Sequence, residues 1–349
     1  MRRTLIFLTL VNLATSVLMS NVFAGDPGLD LPNDPSLKSG SLVNDQSKGS
    51  VLIYNAYSSS PKAVNASDTR ISITNTNGLI KIDVHMFFVD GSTCSVSDLY
   101  LSLTPNQTST FLISDVDPGV VGYVLAIAVN SDGIPMGFDW LIGDEFVKFE
   151  SGHSANLGAE AISVPAPFLL AFPIENGSAA MLLFDGVCYN SLPRVLAVSS
   201  IASRADGNDS LLIINRIGGD YRTGAGTLNV LNGFLYNDAE IPLSWSGTFI
   251  SCQLRVSISS NFPRTTPRLD AHIPAGRSGW MKLWASTSTD QSPFGTGEDT
   301  RAIVGAIINK NSNVKNVTGA FSGGRNLHRL TLNPLTVITV PISPPGQSY

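Results

Sequence analysis

The sequence predicts an all-β fold, two antiparallel immunoglobulin-like β-sandwich domains in tandem, and three observations predict it. Apolar runs of roughly four to eight residues recur along the chain between turn-forming clusters such as Asn77-Gly78, Asp90-Gly91, Asp117-Pro118-Gly119 and Asp132-Gly133. No helical periodicity of comparable length competes with them. The second half also repeats features of the first in order: Ser50-Val51-Leu52-Ile53 with Ser210-Leu211-Leu212-Ile213, Phe87-Phe88-Val89-Asp90 with Phe234-Leu235-Tyr236-Asn237, and Cys94 with Cys252. Pro118, Gly122 and Tyr123 match Pro274, Gly279 and Trp280 in the same order.

Residues 1–24 carry the three parts of a secretory signal peptide: Arg2 and Arg3, an apolar run from Leu5, and Val22-Phe23-Ala24 ahead of Gly25. Asn12, Thr15 and Ser16 interrupt that run, whereas a stable membrane span needs about 20 mostly apolar residues. The expectation is an exported chain, periplasmic, cell-surface or extracellular, cut between Ala24 and Gly25, with no integral membrane segment left after cleavage. Residues 25–49 are rich in Gly, Pro, Asn, Asp and Ser and read as an extended leader.

The first sandwich is expected over residues 50–163. Its strands read as Val51 to Tyr54, Arg70 to Asn75, Ile82 to Val89, Leu99 to Leu103, Thr110 to Ile113 and Tyr123 to Val129. Phe138 to Phe149 fits a short helix or an irregular strand equally well. Residues 164–349 are expected to hold a Pro-containing connector and the second sandwich. Its strands read as Met181 to Phe184, Val195 to Ser199, Ser210 to Ile214, Thr227 to Tyr236, Cys252 to Ser259, Trp280 to Ala285, Ala302 to Asn309 and Leu327 to Leu332.

Composition bounds the function classes. The 349 residues are 43% hydrophobic and 14% charged, enough apolar material for packed cores and too little charge for a disordered chain. Residues 25–162 hold 16 acidic and 6 basic residues, and residues 163–349 hold 11 and 14, a polarity that suits contact between the halves or solvated surface. An acidic exported chain without a nucleic-acid motif is not expected to bind DNA or RNA. The three cysteines, Cys94, Cys188 and Cys252, allow one intramolecular bridge at most. Cys188 with Cys252 is one reading, since both lie in the second half, and three separate buried thiols is the other. No Cys/His spacing suggests zinc, and no cofactor is expected.

The segments Lys48 to Tyr54, Phe87 to Cys94, Leu141 to Leu157 and Phe184 to Gly219 bear a resemblance to a group of uncharacterised exported bacterial proteins with tandem β-sandwich-like domains. The last segment includes Leu192-Pro193-Arg194-Val195-Leu196, Ser203-Arg204-Ala205-Asp206-Gly207-Asn208 and Asn215-Arg216-Ile217-Gly218-Gly219. The resemblance implies a bacterial origin and export, and it carries no activity and no functional residue.

Four constellations invite chemistry. Gly152-His153-Ser154-Ala155-Asn156 begins like a nucleophile elbow but has Asn156 where the second glycine belongs. Asp139, Asp144, Glu145 and Glu150 offer carboxylates for glycan hydrolysis, which needs a facing pair across roughly 5 to 9 Å. Asp115 with Asp117, or Asp206, Asn208 and Asp209, offer oxygens to calcium without the EF-hand spacing. Among Trp140, Trp245, Trp280 and Trp284, the pair Trp280 and Trp284 falls on one side of a strand with Lys282, opposite Met281 and Leu283. That pair is the candidate ligand platform. The expected function is a non-catalytic binding or structural module whose partner is a glycan or an envelope protein; a secreted glycan hydrolase and a strand-exchanging assembly subunit are the alternatives.

Overall fold

Two kinds of strand coexist in the computed structural model, and burial explains the sequence of each. The structure describes residues 43–44, 47–60, 67–165, 174–175, 177–286, 300–312 and 322–345. The signal peptide and most of the leader lie outside the described residues. Strand β3 (Thr69–Asn75) alternates buried and accessible side chains, as expected where one face is covered. Strand β2 (Val51–Ser58) is buried at every position, because its sheet is covered on both faces and a continuous apolar run is what that environment requires.

Sheet 1 runs β1 (Val43–Asn44), β10 (Glu160–Ile162), β2, β7 (Val121–Val129), β4 (Ile82–Asp90), β5 (Val96–Leu103). Sheet 2 runs β6 (Thr108–Leu112), β3, β8 (Leu141–Lys148), β9 (Ser154–Gly158). Sheet 3 runs β11 (Ile174–Glu175), β12 (Ala179–Phe184), β25 (Thr336–Pro341), β15 (Gly219–Asp220), β16 (Gly224–Ala225). Sheet 4 runs β18 (Pro242–Phe249), β17 (Asn229–Asn237), β20 (Ser278–Ser286), β13 (Pro193–Ala202), β24 (His328–Leu332), with β21 (Thr300–Arg301) also on β20. Sheet 5 runs β19 (Gln253–Ile258), β14 (Asn208–Arg216), β22 (Ile303–Asn311), β23 (Gly323–Asn326).

The apolar clusters give the packing order. Val51, Ile53, Leu125 and Ile127 of sheet 1 meet Ala180, Leu182, Ile338 and Val340 of sheet 3. The opposite face of sheet 1, with Leu52, Val84, Met86 and Ala126, meets Ile71, Ile73 and Leu141 of sheet 2. Val147, Ala155 and Leu157 of sheet 2 meet Leu211, Ile213 and Ile308 of sheet 5. Leu212, Ile214 and Ile307, on the other face of sheet 5, meet Val198, Leu231 and Leu283 of sheet 4. The sheets therefore follow one another as 3, 1, 2, 5, 4.

This corrects the expected architecture. The chain is all-β, but two tandem immunoglobulin-like sandwiches need four sheets and the described strands make five, packed face to face in one succession. The additional sheet 3 draws on the expected connector and on the C-terminal strand β25, which runs parallel to β15 and antiparallel to β12. Residues 41–349 cluster as one compact unit, and one apolar cluster spans the expected division, joining Ile162 and Val164 to Ala180 and Leu182. The leader also ends differently from expectation, since Val43 and Asn44 pair with Ile162 and Ala161 at the edge of sheet 1.

The strand order does recur: β10-β2-β7-β4-β5 and β6-β3-β8-β9 are followed by β24-β13-β20-β17-β18 and β19-β14-β22-β23. Under this correspondence β4 answers to β17 and β7 to β20, in agreement with the sequence matches at Phe87 and Tyr123. Strand β2 answers to β13, so the match of Ser50–Ile53 to Ser210–Ile213 pairs strands that are not equivalent. Short aliphatic strands resemble one another whichever sheet they enter.

A buried polar junction joins the halves. Asn215 Nδ2 donates to the backbone oxygen and Oδ1 of Asn55 at 2.8 and 3.1 Å, and Asn55 Nδ2 donates to Glu160 Oε1 at 2.6 Å and Asn326 Oδ1 at 3.0 Å. Gln253 Nε2 reaches Asn215 Oδ1 at 2.8 Å and Gly122 O at 3.0 Å. Buried amides have to be paired to be tolerated, and here each of Asn55, Asn215 and Gln253 has at least one partner from the opposite half of the chain.

Candidate functional site

The outer face of sheet 4 carries a group of partly accessible aromatic side chains, Phe234, Tyr236 and Trp280. Antiparallel pairing sets Tyr236 opposite Trp280, Phe234 opposite Lys282, and Asn232 opposite Trp284. Side chains alternate across a strand, so Leu235, Met281 and Leu283 enter the core and the aromatic set faces outward. Tyr236 and Trp280 stack with centroids 4.1 Å apart and planes 7° from parallel. Phe234 lies 5.6 Å from Trp284 and 6.4 Å from Tyr236.

The two tryptophans differ in exposure. Trp280 is half-buried, as are Phe234, Tyr236 and Lys282, whereas Trp284 is only 4% exposed and is a packing residue. The expected platform of Trp280 with Trp284 is thus replaced by Trp280 with Tyr236. On the other side of β20, β13 has a register shift between Val198 and Ile201, so the bulge residues Ser199 and Ser200 fall across from Trp280 in the pairing.

Polar groups border the stack. The carboxylate of Glu240 accepts the Trp280 Nε1–H at 3.3 Å. Glu240 is held in the β17–β18 turn, where Asn237 Oδ1 accepts the amides of Ala239 and Ile241, both at 3.0 Å. Arg277 pairs with Asp238 at 2.7 Å beside it. The site therefore combines a flat apolar surface with carboxylate, guanidinium and ammonium groups at its margins. Phe234, Tyr236 and Glu240 escape a reading that considers β20 alone; the period-two run Phe234-Leu235-Tyr236 was the available signal, but it does not reveal the cross-strand register.

A recess of about 210 Å³ opens between sheets 4 and 5, lined by Ser200, Ser210, Ile307, Asn309, Gly323, Gly324 and Arg325. Its polar groups already bond one another: Ser210 Oγ donates to Asn309 Oδ1 at 2.9 Å, and Asn309 Nδ2 donates to Asn208 Oδ1 at 2.9 Å.

The other constellations separate in space or are occupied structurally. His153 is buried in the β8–β9 turn; Ser151 Oγ lies 2.8 Å from its Nδ1, and its Nε2 lies 2.9 Å from the Asp209 backbone oxygen. With Nε2–H donating to that carbonyl, Nδ1 is left to accept from Ser151. Ser154 begins β9 and is exposed, so no nucleophile elbow forms. Asp144 and Glu150 are exposed, while Glu145 is fully buried, with Oε1 accepting the Ala56 amide at 3.1 Å. Burial pushes the Glu145 carboxyl well above the usual carboxylate range, with the nearby Glu160 and Asp144 adding to the shift. Asp139 is raised by burial too, against the pull of its bonds from Ser50 Oγ at 2.6 Å and the Val164 amide at 3.1 Å.

Asp117 accepts from Tyr57 at 2.6 Å and Ser97 at 3.1 Å, and Asp206 accepts from the Gly276 amide at 2.8 Å. No cluster of three or more His, Cys, Asp or Glu side chains suited to a metal occurs among the described residues. No helix among them is long and apolar enough to cross a membrane. Trp245 is buried against Phe262, and Trp140 is exposed beneath the Lys48 ammonium, 4.3 Å from its ring. Cys94, Cys188 and Cys252 are all free thiols, so the expected Cys188–Cys252 bridge is not formed.

No known protein family matches the chain, and no curated protein is significantly similar to it. Among solved structures, the apo form of Pleurotus ostreatus lectin aligns with 88% of this chain and 81% of its own, at 11% identity and a TM-score of 0.17. A likeness at that score carries no argument about fold or ligand.

Proposed function

We propose that the protein acts after export as a non-catalytic glycan-binding module, taking a pyranose ring on the Tyr236–Trp280 face of sheet 4. The observation that carries this reading is the half-exposed, near-coplanar stack of those two rings, bordered by Glu240, Lys282 and the Arg277–Asp238 pair. A pyranose presents an axial C–H face that packs on an aromatic ring, while its equatorial hydroxyls need donors and acceptors at the ring margin. A rigid sheet holds the rings in place before the sugar arrives, which lowers the entropic cost of binding. The dispersed carboxylates at Asp139, Asp144, Glu145 and Glu150 favour binding over hydrolysis.

The test is an array of soluble and immobilised polysaccharides probed with the purified mature protein, with any hit titrated by calorimetry. Binding that weakens at least about tenfold in Trp280→Ala, equivalent to roughly 1.4 kcal/mol, supports the reading. Absence of binding across the array, or equal affinity in the variant, overturns it.

A further inference from the structure

Cys94 and Cys252, far apart in sequence, converge at one point between the two halves of the fold. Both are buried in the cluster that joins sheets 1 and 3, at 7% and 0% exposure. The Asp90 backbone oxygen receives both the Cys94 amide at 2.9 Å and the Cys252 thiol at 3.1 Å. The two side chains also interact directly with each other. Their backbones are fixed: the Gln253 amide donates to Gly91 O at 3.0 Å, and the Ala225 amide donates to Cys94 O at 2.8 Å. Cys188 packs at the edge of the same cluster and is half-buried, its amide bonded to Asp185 Oδ1 at 2.8 Å.

We propose that Cys94 and Cys252 are a redox pair that closes to a disulfide when the folding chain meets a disulfide-bearing oxidant, tying the β4–β5 turn to the segment entering β19. The thiolate of one cysteine attacks a sulfur of the oxidant and displaces one thiol, leaving a mixed disulfide. The second cysteine attacks the protein sulfur of that mixed disulfide and displaces the second thiol. Two electrons and two protons pass to the oxidant, which leaves as two thiols. Their contact in the folded chain pulls the Cys94 thiol below its ordinary range and pushes Cys252 above it, whereas during folding both thiols are accessible and either can be the first nucleophile. Because both sulfurs are buried in the folded chain, closure belongs to folding, before the cluster seals.

The experiment refolds the full chain in a buffer of oxidised and reduced glutathione, so the result does not depend on where the protein resides in the cell. Remaining thiols are alkylated in denaturant and the product is mapped by mass spectrometry without reduction. The expected product is two hydrogens lighter than the reduced chain before alkylation, is alkylated only at Cys188, and yields a linked Cys94–Cys252 peptide pair. Cys188→Ser is expected to keep that pair, and a reductant is expected to lower the melting temperature of this variant but not of Cys94→Ser. Three alkylated cysteines, a stable glutathione adduct on Cys94 or Cys252, or a bridge that includes Cys188 would each overturn the proposal.

Discussion

Asn215 donates from one amide nitrogen to both the main-chain and side-chain oxygens of Asn55, at 2.8 and 3.1 Å, and both residues are fully buried. The contact joins β14 of sheet 5 to β2 of sheet 1, so folding of each half is coupled to the other. Replacing Asn215 with Ala leaves the buried oxygens of Asn55 without their donor and removes one of the two acceptors of the Gln253 side-chain amide. Asn215→Ala is expected to lower unfolding free energy by about 2–4 kcal/mol in urea titrations. A loss under about 0.5 kcal/mol would show that water replaces the amide and that the junction is not a structural tie.

Gly122 lies in β7 opposite Asp90 of β4. A Cβ placed there would stand 1.7 Å from the backbone oxygen of Val89, which cannot retreat without breaking the sheet. Gly122 O also receives the Gln253 amide of the polar junction at 3.0 Å. Gly122→Ala is expected to cost more than about 2 kcal/mol and to disturb both features, seen as lost amide protection in β4 and β7 by hydrogen exchange. Wild-type protection in the variant would contradict this.

Glu145 makes a pH prediction of definite sign. Its folded carboxyl titrates above the ordinary value of 4.5, mainly through burial, so above pH 4.5 the native state holds a proton that the unfolded chain has lost. The contribution of this group is constant below that pH and turns increasingly unfavourable as pH rises towards the folded value. Glu145→Gln is expected to flatten that part of the profile and to be relatively more stable at pH 8 than at pH 5 when compared with wild type. Parallel stability profiles for the two proteins would refute the assignment.

His85 gives a second titration with the opposite consequence. It lies between Phe87 and Tyr100, with both ring centroids 4.0 Å away. Burial outweighs the Asp98 carboxylate 2.6 Å from its Nε2, so His85 titrates below its ordinary 6.5. The unfolded chain then takes up this proton first as pH falls, and stability is lost from about pH 6.5 downward. NMR titration of the His85 ring is expected to report a midpoint below 6.5; a midpoint above it would show the Asp98 pairing to dominate.

Much of the strand content was legible because apolar runs and turn residues are local signals. Phe138 to Phe149 resolves as β8, since Phe146 and Glu145 fall on opposite faces of a strand, one exposed and one buried. Pro242–Phe249 was overlooked although Leu243, Trp245 and Phe249 alternate with Ser244, Ser246 and Thr248, because Pro242 and Gly247 mask the pattern. Thr336–Pro341 was missed as well, and with it sheet 3 and the five-sheet count. What local pattern does not carry is register and partner. It placed Trp280 and Trp284 on one face correctly, but it could not show that Trp284 is covered and that Tyr236 from β17 completes the surface. The cysteines follow the same logic: a shared half of the chain suggested Cys188 with Cys252, whereas packing between halves brings Cys94 to Cys252.

The unequal burial of the two tryptophans separates stability from binding. Trp284→Ala removes a buried side chain and is expected to cost about 3–5 kcal/mol. Trp280→Ala removes a half-exposed one and is expected to cost less than about 1 kcal/mol by urea denaturation. Equal losses would mean that both rings serve the core.

The most direct test of glycan binding follows the four indole N–H signals in a proton–nitrogen correlation spectrum while a polysaccharide that binds the protein is titrated in. The account predicts that the Trp280 signal moves saturably while those of Trp245 and Trp284 stay in place, and that Tyr236→Ala weakens the response with the rest of the spectrum unchanged. Saturable binding that leaves Trp280 unmoved would contradict the assignment of the sheet 4 face as the binding surface.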